Sequence, residues 1–371
     1  MHNIYLDSAA TTPLSPQVKQ YIIELLDEFY NPSSLYQCGI DARQIIEQSR
    51  YNVAKFINAE PRNIIFTSGG SASNTLAIKG FVNKNPNYTV LYSPIAHKSI
   101  LKCVNSINGS QPLRVDEQGF IDLSKLEYQI SLGTNKKILV IDYANSEIGT
   151  IQNIKKLIML AKLYHAIIYL DCTGLISQIP VNVKELDVDM LGFSAHKLGS
   201  LKGCGVLYKK SNIELEPLIY GSQEQSLFGG TENMLGIASL GKAIENYNYS
   251  SISSENRNYV YDYIIREIPN SYLVGAPFEH RLPHNLYMCF KGIQGESLMI
   301  LLDMNGIQIS TGSACTSGDI HPSSTFTAIG MNKEDINSCV RLSFSGNETK
   351  QELDYVCTKL KECINQLRQF N

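Results

Sequence analysis

The stretch Leu191-Gly192-Phe193-Ser194-Ala195-His196-Lys197 is the most informative part of this 371-residue sequence. Its apolar first half predicts a short strand, and Lys197 follows where that strand ends. A lysine held there beside a histidine and a hydroxyl is partly desolvated, which lowers its pKa and suits it to form a Schiff base. Taken alone, an ordinary exposed loop lysine would be the better interpretation. Residues elsewhere in the chain favour the interpretation of Lys197 as a Schiff-base lysine.

Composition describes an ordinary globular protein of about two domains. Hydrophobic residues make up 43% and charged residues 18%, and the formal net charge of −3 gives no reason to expect a nucleic-acid or membrane partner. No apolar run is long enough for a membrane helix, and the N-terminus lacks a signal-peptide pattern, so we expect a cytoplasmic protein. The nine cysteines show no C-x-x-C spacing, and we therefore predict neither a metal site nor a disulfide framework.

Strand-like and helix-like segments alternate through the middle of the chain, which predicts an α/β fold with a mostly parallel sheet covered by helices. Residues 137–143 form a continuous apolar run, typical of a strand buried on both faces. A polar stretch at residues 247–256 is the best candidate for a domain connection. We assign residues 14–250 to a large domain, and residues 1–13 with 251–371 to a smaller α+β domain.

Polar residues follow several of the predicted strands, and ligands bind at the carboxyl ends of strands in an open parallel sheet. Gly70 and Ser71 open a predicted helix and offer backbone N–H groups and a hydroxyl to a phosphate. Asp171 ends a buried strand, where a protonated pyridine nitrogen would pair with its carboxylate. His97 could stack on such a ring or carry protons. Each of these residues, taken alone, has an ordinary structural explanation. Together with Lys197 they make four such placements at strand ends, which chance explains less easily.

Motifs along nearly the whole chain resemble those of pyridoxal-phosphate-dependent cysteine desulfurases of the NifS/IscS-like branch, in the class V aminotransferase superfamily. The matching stretches, in chain order, are Tyr5 to Pro13, Asn31 to Ser34, Phe66 to Ser71 with Asn74, His97-Lys98, Glu147 to Gly149, Ser194 to Lys197, Ser310 to Ser317 and Val340 to Ser343. The resemblance implies the pyridoxal-phosphate-dependent transferase fold of type I, with a mostly parallel seven-stranded sheet in the large domain.

The same resemblance implies roles for individual residues. Lys197 would hold the cofactor covalently, His97 would act in proton transfer, and Cys315 would be the nucleophile that takes sulfur from L-cysteine. The other implied cofactor contacts are Gly70, Ser71, Asn145, Ser146, Asp171, Ser194, His196 and Thr231, the last from the second subunit of a homodimer. Arg341 and Asn31 would contact the substrate. The product would be L-alanine, with the persulfide sulfur passed to an acceptor protein such as an iron–sulfur scaffold.

Several positions depart from the family pattern. Gly174 replaces a usual glutamine, Ser146 a second asparagine and Phe228 an arginine, and Ala72, Ala96 and Tyr36 also differ. Two alternatives therefore stay open. The protein could be a selenocysteine lyase or another class V lyase or aminotransferase with altered substrate preference, or a low-activity member acting as a binding subunit.

Overall fold

The structure is a computed structural model that describes residues 3–245, 247–311 and 323–369. The strands are β1 (Ile4–Tyr5), β2 (Ile64–Thr67), β3 (Tyr88–Tyr92), β4 (Gln111–Pro112), β5 (Lys136–Asp142), β6 (Ile167–Asp171), β7 (Met190–Ser194), β8 (Gly205–Lys209), β9 (Ser271–Leu273), β10 (Asn285–Phe290), β11 (Ile307–Gln308), β12 (Ser310–Thr311) and β13 (Cys339–Ser343). The helices are α1 (Pro16–Leu25), α2 (Gln37–Phe56), α3 (Gly70–Thr75), α4 (Phe81–Lys84), α5 (Lys98–Asn105), α6 (Leu123–Ser131), α7 (Ile154–Leu163), α8 (Val183–Leu186), α9 (Gln223–Ser226), α10 (Met234–Glu245), α11 (Glu255–Glu267), α12 (Gly295–Met304), α13 (Ser324–Ala328), α14 (Lys333–Asn337) and α15 (Lys350–Gln369).

The central sheet has seven strands in the order β2-β8-β7-β6-β5-β3-β4. Strands β3 to β7 pair in parallel, whereas β8 runs antiparallel to both of its neighbours, β2 and β7. The predicted mostly parallel, seven-stranded α/β sheet is therefore confirmed.

The strand β5 shows why this sheet is covered on both faces. Its apolar side chains alternate between two buried clusters: Leu139 and Ile141 belong to one, and Ile138 and Val140 to the other. A strand buried on both faces has a continuous apolar sequence, which is the pattern of residues 138–141. Burial on both faces leaves the carboxyl ends of the strands as the place where polar side chains gather.

A second group of strands lies outside the central sheet. Strands β12, β13, β10 and β9 form an antiparallel sheet in that order, and β1 pairs in parallel with β11. Their apolar side chains share a cluster with helices α11, α12 and α15. The N-terminal strand thus packs with the C-terminal third of the chain, while the domain boundary placed near residue 250 stays a prediction.

Within the described ranges, we find no helix whose length and apolar character would let it cross a bilayer.

Candidate active site

A cavity of about 460 Å³ opens at the carboxyl ends of the central strands. It brings together ten of the residues singled out from the sequence, namely Gly70, Ser71, His97, Asn145, Ser146, Asp171, Ser194, His196, Lys197 and Arg341. A larger groove of about 1200 Å³ lies elsewhere, near residues 112–129, and contains none of them. The smaller cavity is therefore the candidate active site.

Lys197 lies in a tight turn, Ala195–Lys197, directly after β7. Its Nζ donates hydrogen bonds to the carbonyl oxygens of Ala9 and Ala10, the latter at 2.7 Å. Burial, and then the positive charge of Arg341, lower the pKa of Lys197 from 10.5 to about 8. An appreciable share of this amine is therefore uncharged near neutral pH, as a nucleophile or base requires.

Asp171 ends β6 and is only 5% exposed. Its Oδ2 accepts a hydrogen bond from Asn74 Nδ2 at 2.9 Å, and its Oδ1 accepts one from the Thr173 backbone N–H at 2.8 Å. Among the described residues, no lysine, arginine or histidine forms a salt bridge with it. A buried carboxylate without a cationic partner is suited to bind a protonated ring nitrogen.

The start of α3 forms a cradle against β7. A Cβ atom added to Gly70 would lie 3.1 Å from Thr173 Oγ1 and 3.3 Å from Ser194 Cβ, so a larger residue would crowd this space. The first N–H groups of a helix have no partner within the helix, and Ser71 adds a hydroxyl beside them. These groups can donate hydrogen bonds to a phosphate.

His196 and His97 are both held by hydrogen bonds at Nδ1. His196 Nδ1 lies 3.0 Å from Thr11 Oγ1, and burial, then Lys197, lower its pKa to about 4, so it is neutral at pH 7. His97 caps α5, where its Nδ1 accepts a hydrogen bond from the Ser99 backbone N–H. Neutral His97 therefore carries its proton on Nε2, the nitrogen that stays available to a ligand.

Arg341 reaches the cavity from β13, in the antiparallel sheet. Its Nη2 forms a salt bridge with Asp7 Oδ1 at 2.6 Å, and its Nη1 donates to the Ser146 carbonyl oxygen at 2.9 Å. Its Nε is buried and has no hydrogen-bond partner among the described residues. The guanidinium is thus fixed in place with a donor unused, as an anion site requires.

Asn145 and Ser146 contribute in different ways. The Asn145 amide donates to the Ile95 carbonyl oxygen, and its Oδ1 accepts from the backbone N–H groups of Glu147 and Ile148. This side chain therefore shapes the turn after β5. Ser146 faces Gly174 so closely that a Cβ added to Gly174 would lie 3.4 Å from the Ser146 Cβ.

Two of the predicted residues that the structure describes are not among those that line the cavity. Asn31 is exposed, and its Oδ1 accepts a hydrogen bond from the Ser33 backbone N–H, which stabilises a turn. Thr231 is also exposed. Cys315 lies outside the described residues.

Sequence reasoning gave no role to Asn74, Asp7 or Asp142. Asn74 follows Gly70 by four residues, which is one helical turn, and that spacing could have pointed to it. Asp7 lies 334 residues from its partner Arg341, and no local signal joins them. Asp142, which ends β5 and lines the cavity, resembled any other strand end.

Comparison with known proteins agrees with this geometry. A family model described as aminotransferase class-V matches residues 4–356. The cysteine desulfurase IscS of Dictyoglomus turgidum is 39% identical over 378 residues, which cover 98% of this chain and 95% of that protein.

Two solved structures share the fold over most of the chain. A NifS-like protein from Rickettsia africae has 31% identity and a TM-score of 0.89, and the match covers 98% of this chain and all of that one. SspA in complex with cysteine has 29% identity and a TM-score of 0.81, over 93% of this chain and 100% of that one. The chain therefore belongs to the aminotransferase class-V family and, within it, to the cysteine desulfurases, whose members depend on pyridoxal phosphate.

The residues present fit that cofactor. The cradle at Gly70 suits the phosphate, Asp171 suits the ring nitrogen, and the desolvated amine of Lys197 suits the aldehyde. The hydrogen-bond donors, the carboxylate and the amine thus match the phosphate, the ring nitrogen and the aldehyde of pyridoxal phosphate.

Proposed function

We propose that this protein is a pyridoxal-phosphate-dependent cysteine desulfurase that converts L-cysteine to L-alanine and transfers the sulfur through a persulfide on Cys315. The observation that carries the proposal is the convergence of Lys197, Asp171 and Arg341 on one cavity, in a chain 39% identical to a cysteine desulfurase over nearly its full length. The cofactor supplies an electron sink for the electrons released when the substrate Cα–H bond breaks.

Each residue then has a task that its chemistry supports. Lys197, partly uncharged near neutral pH, accepts the Cα proton at Nζ. Arg341 binds the substrate carboxylate through its guanidinium, which is already oriented by Ser146 and Asp7. His97 can hold or pass a proton at Nε2.

Cys315 is the proposed nucleophile. Its thiolate would take the substrate sulfur, forming an S–S bond as the S–Cβ bond breaks, and alanine would leave after Cβ gains a proton. The persulfide would pass to an acceptor protein, for which an iron–sulfur scaffold is one candidate.

A homodimer is part of the proposal, because it gives Thr231 a place in the second subunit's cofactor site. The surface beside Thr231 supports this. Leu35 is 93% exposed and Ile40 40% exposed, and both line one groove with Glu232, the residue after Thr231. Exposed apolar side chains gathered in this way are typical of protein interfaces.

The test is an assay of alanine and persulfide formation from L-cysteine, with Cys315→Ala as the matched variant. We expect the wild-type protein to form both products, and the variant to form no protein-bound persulfide. Persulfide-dependent sulfide release that survives the Cys315→Ala change would contradict the assigned nucleophile.

A second candidate keeps the cofactor and changes the substrate. Gly174 and Ser146 alter one side of the cavity, which motivates a selenocysteine lyase or another class V lyase or aminotransferase. Steady-state kinetics with cysteine, selenocysteine, cysteine sulfinate and alanine separate these possibilities, and a clear preference for cysteine eliminates the second candidate. A purified protein that binds no pyridoxal phosphate would instead favour a binding subunit.

A further inference from the structure

Asp142 is a second carboxyl group of the cavity, and the roles proposed above leave it unassigned. It is the last residue of β5 and pairs in register with Asp171, the last residue of β6. Neighbouring strands lie about 4.8 Å apart, and alternate residues share a face. The two carboxyl groups therefore lie side by side, on the face that also carries Val140 and Tyr169.

The two neighbours differ in their hydrogen bonds. Asp171 accepts one bond on each oxygen, from Asn74 and from the Thr173 backbone. Asp142 is 5% exposed, and neither of its oxygens has hydrogen-bonding geometry with a described residue. The Ser93 hydroxyl, on the β3 side, is likewise buried without a partner.

Among the residues that the structure describes, no cation forms a salt bridge with this second carboxyl group. Asp171 lies beside it on β6, where Tyr169 shares the same sheet face. Ser93 lies near it on the β3 side, and Asn145 in the turn after β5. The remaining titratable residues that line the cavity are His97, Lys98, Glu147, His196, Lys197 and Arg341. Within the described ranges none of them forms a salt bridge with Asp142.

Two buried carboxyl groups this close cannot both be charged at low cost. Burial, with a smaller contribution from Asp171, raises the pKa of Asp142 from 3.8 to about 6, although the nearby Ser93 and Asn145 favour its charged form. Burial outweighs these two neighbours, so the protonated form of Asp142 is favoured in the folded protein.

We propose that Asp142 is a positioning residue of the cofactor site, which holds a proton beside Asp171 in the cofactor-free protein and releases it when a protonated pyridine ring binds. The inference rests on the proposed cofactor site. The O–H bond of the Asp142 carboxyl group breaks, the proton goes to solvent, and the ring's positive charge replaces it. No electron is transferred. Ring binding and the protonation of Asp142 therefore oppose each other.

Pyridoxine 5′-phosphate is the probe, because it carries the ring nitrogen and the phosphate but no aldehyde to react with Lys197. Its Kd for the cofactor-free protein is measured between pH 5 and pH 8. We compare the wild type, the isosteric Asp142→Asn and the control Asp303→Asn, which alters an exposed carboxyl group on α12. Titration of the probe's own phosphate affects all three proteins equally.

Below about pH 6, we expect the wild type to lose affinity for the probe relative to Asp142→Asn. The loss should approach tenfold per pH unit, because a proton on Asp142 then competes with the ring. Asp303→Asn should follow the wild type. An Asp142→Asn variant with the wild-type pH dependence would overturn the proposal.

Infrared difference spectra of the wild type alone provide a second measurement that needs no variant. At pH 5, binding of the probe should remove the carbonyl band of a protonated carboxylic acid, and at pH 8 it should not. A spectrum without that loss at pH 5 contradicts the proposal for Asp142 while leaving the desulfurase proposal intact. A protein that binds no probe at any pH contradicts both.

Discussion

Arg341, which lines the candidate site, forms a salt bridge with Asp7, with Nη2 2.6 Å from Oδ1. Because Asp7 follows β1 and Arg341 lies on β13, this contact ties the N-terminal segment to the antiparallel sheet. If Arg341 binds the substrate carboxylate as proposed, that carboxylate meets an arginine whose orientation is already fixed. Such a preoriented group loses little conformational entropy on binding.

Arg341→Lys should therefore raise the KM for L-cysteine much more than it lowers kcat. A lysine cannot form the two parallel hydrogen bonds of a guanidinium, and losing a hydrogen bond to a charged group costs about 1.5–3 kcal/mol, or about 10- to 100-fold in affinity. Steady-state kinetics measure this, with Arg368→Lys on α15 as the control. An unchanged KM would show that Arg341 does not bind the substrate.

The pKa of Lys197 makes capture of the cofactor depend on pH. Burial lowers this pKa to about 8, so the protonated amine dominates below pH 8 and the nucleophilic free amine above it. The rate at which the cofactor-free protein covalently captures pyridoxal phosphate should rise through pH 8 and then level off. Rapid mixing with absorbance detection between pH 6 and pH 9.5 tests this, with Lys197→Arg, which should capture none, as control. A rate that does not vary with pH would contradict it.

Asp171→Asn should weaken cofactor binding by about 10- to 100-fold, the range for a lost charge-assisted hydrogen bond. The asparagine keeps an oxygen for the Thr173 backbone but loses the charge that the ring nitrogen needs. Equilibrium titration of the cofactor-free protein measures the change. Asp189→Asn, at a position just before β7 and outside the cavity lining, is the matched control and should bind like the wild type.

Local sequence patterns were sufficient to predict the central sheet and most of its strand ends. The apolar run of β5 and the residues that follow β6 and β7 carry their signal within a few positions. Placing Asp171, Lys197 and Gly70 at one edge then needed only the parallel topology. The antiparallel direction of β8 has no comparable local signature, because parallel and antiparallel buried strands have similar composition.

Contacts between distant parts of the chain could not be predicted. The carbonyl oxygens of Ala9 and Ala10 meet Lys197 through backbone atoms, which any residue type provides. The unpartnered carboxyl group of Asp142 is visible only once Ser93 and Asp171 are placed around it. Such features depend on tertiary packing, which single-sequence patterns do not encode.

Leu35→Glu should convert the proposed dimer to monomers and weaken cofactor binding. Leu35 is 93% exposed, and a charge introduced there would have to be buried in the interface beside Thr231. Light scattering coupled to size exclusion measures the mass of the particle. Leu163→Glu, at another apolar position that is 68% exposed, should leave the mass unchanged. A monomeric wild type with full cofactor affinity would contradict both the dimer and the role of Thr231.

Asp142→Asn should stabilise the cofactor-free protein at pH 8 but not below pH 4, so the comparison is made at pH 8 and at pH 3.5. The pKa of Asp142 is about 6 in the folded protein and near 3.8 when unfolded, so the folded state binds this proton more tightly. The stability contributed by the protonated form is complete below pH 4 and is lost as the pH rises through 6. A shift of this size corresponds to at most about 3 kcal/mol. Urea unfolding at both pH values measures the difference, and Asp303→Asn should show no such pH dependence. Equal stability of wild type and Asp142→Asn at both pH values would mean that the carboxyl group is ionised at no cost, which its burial beside Asp171 opposes.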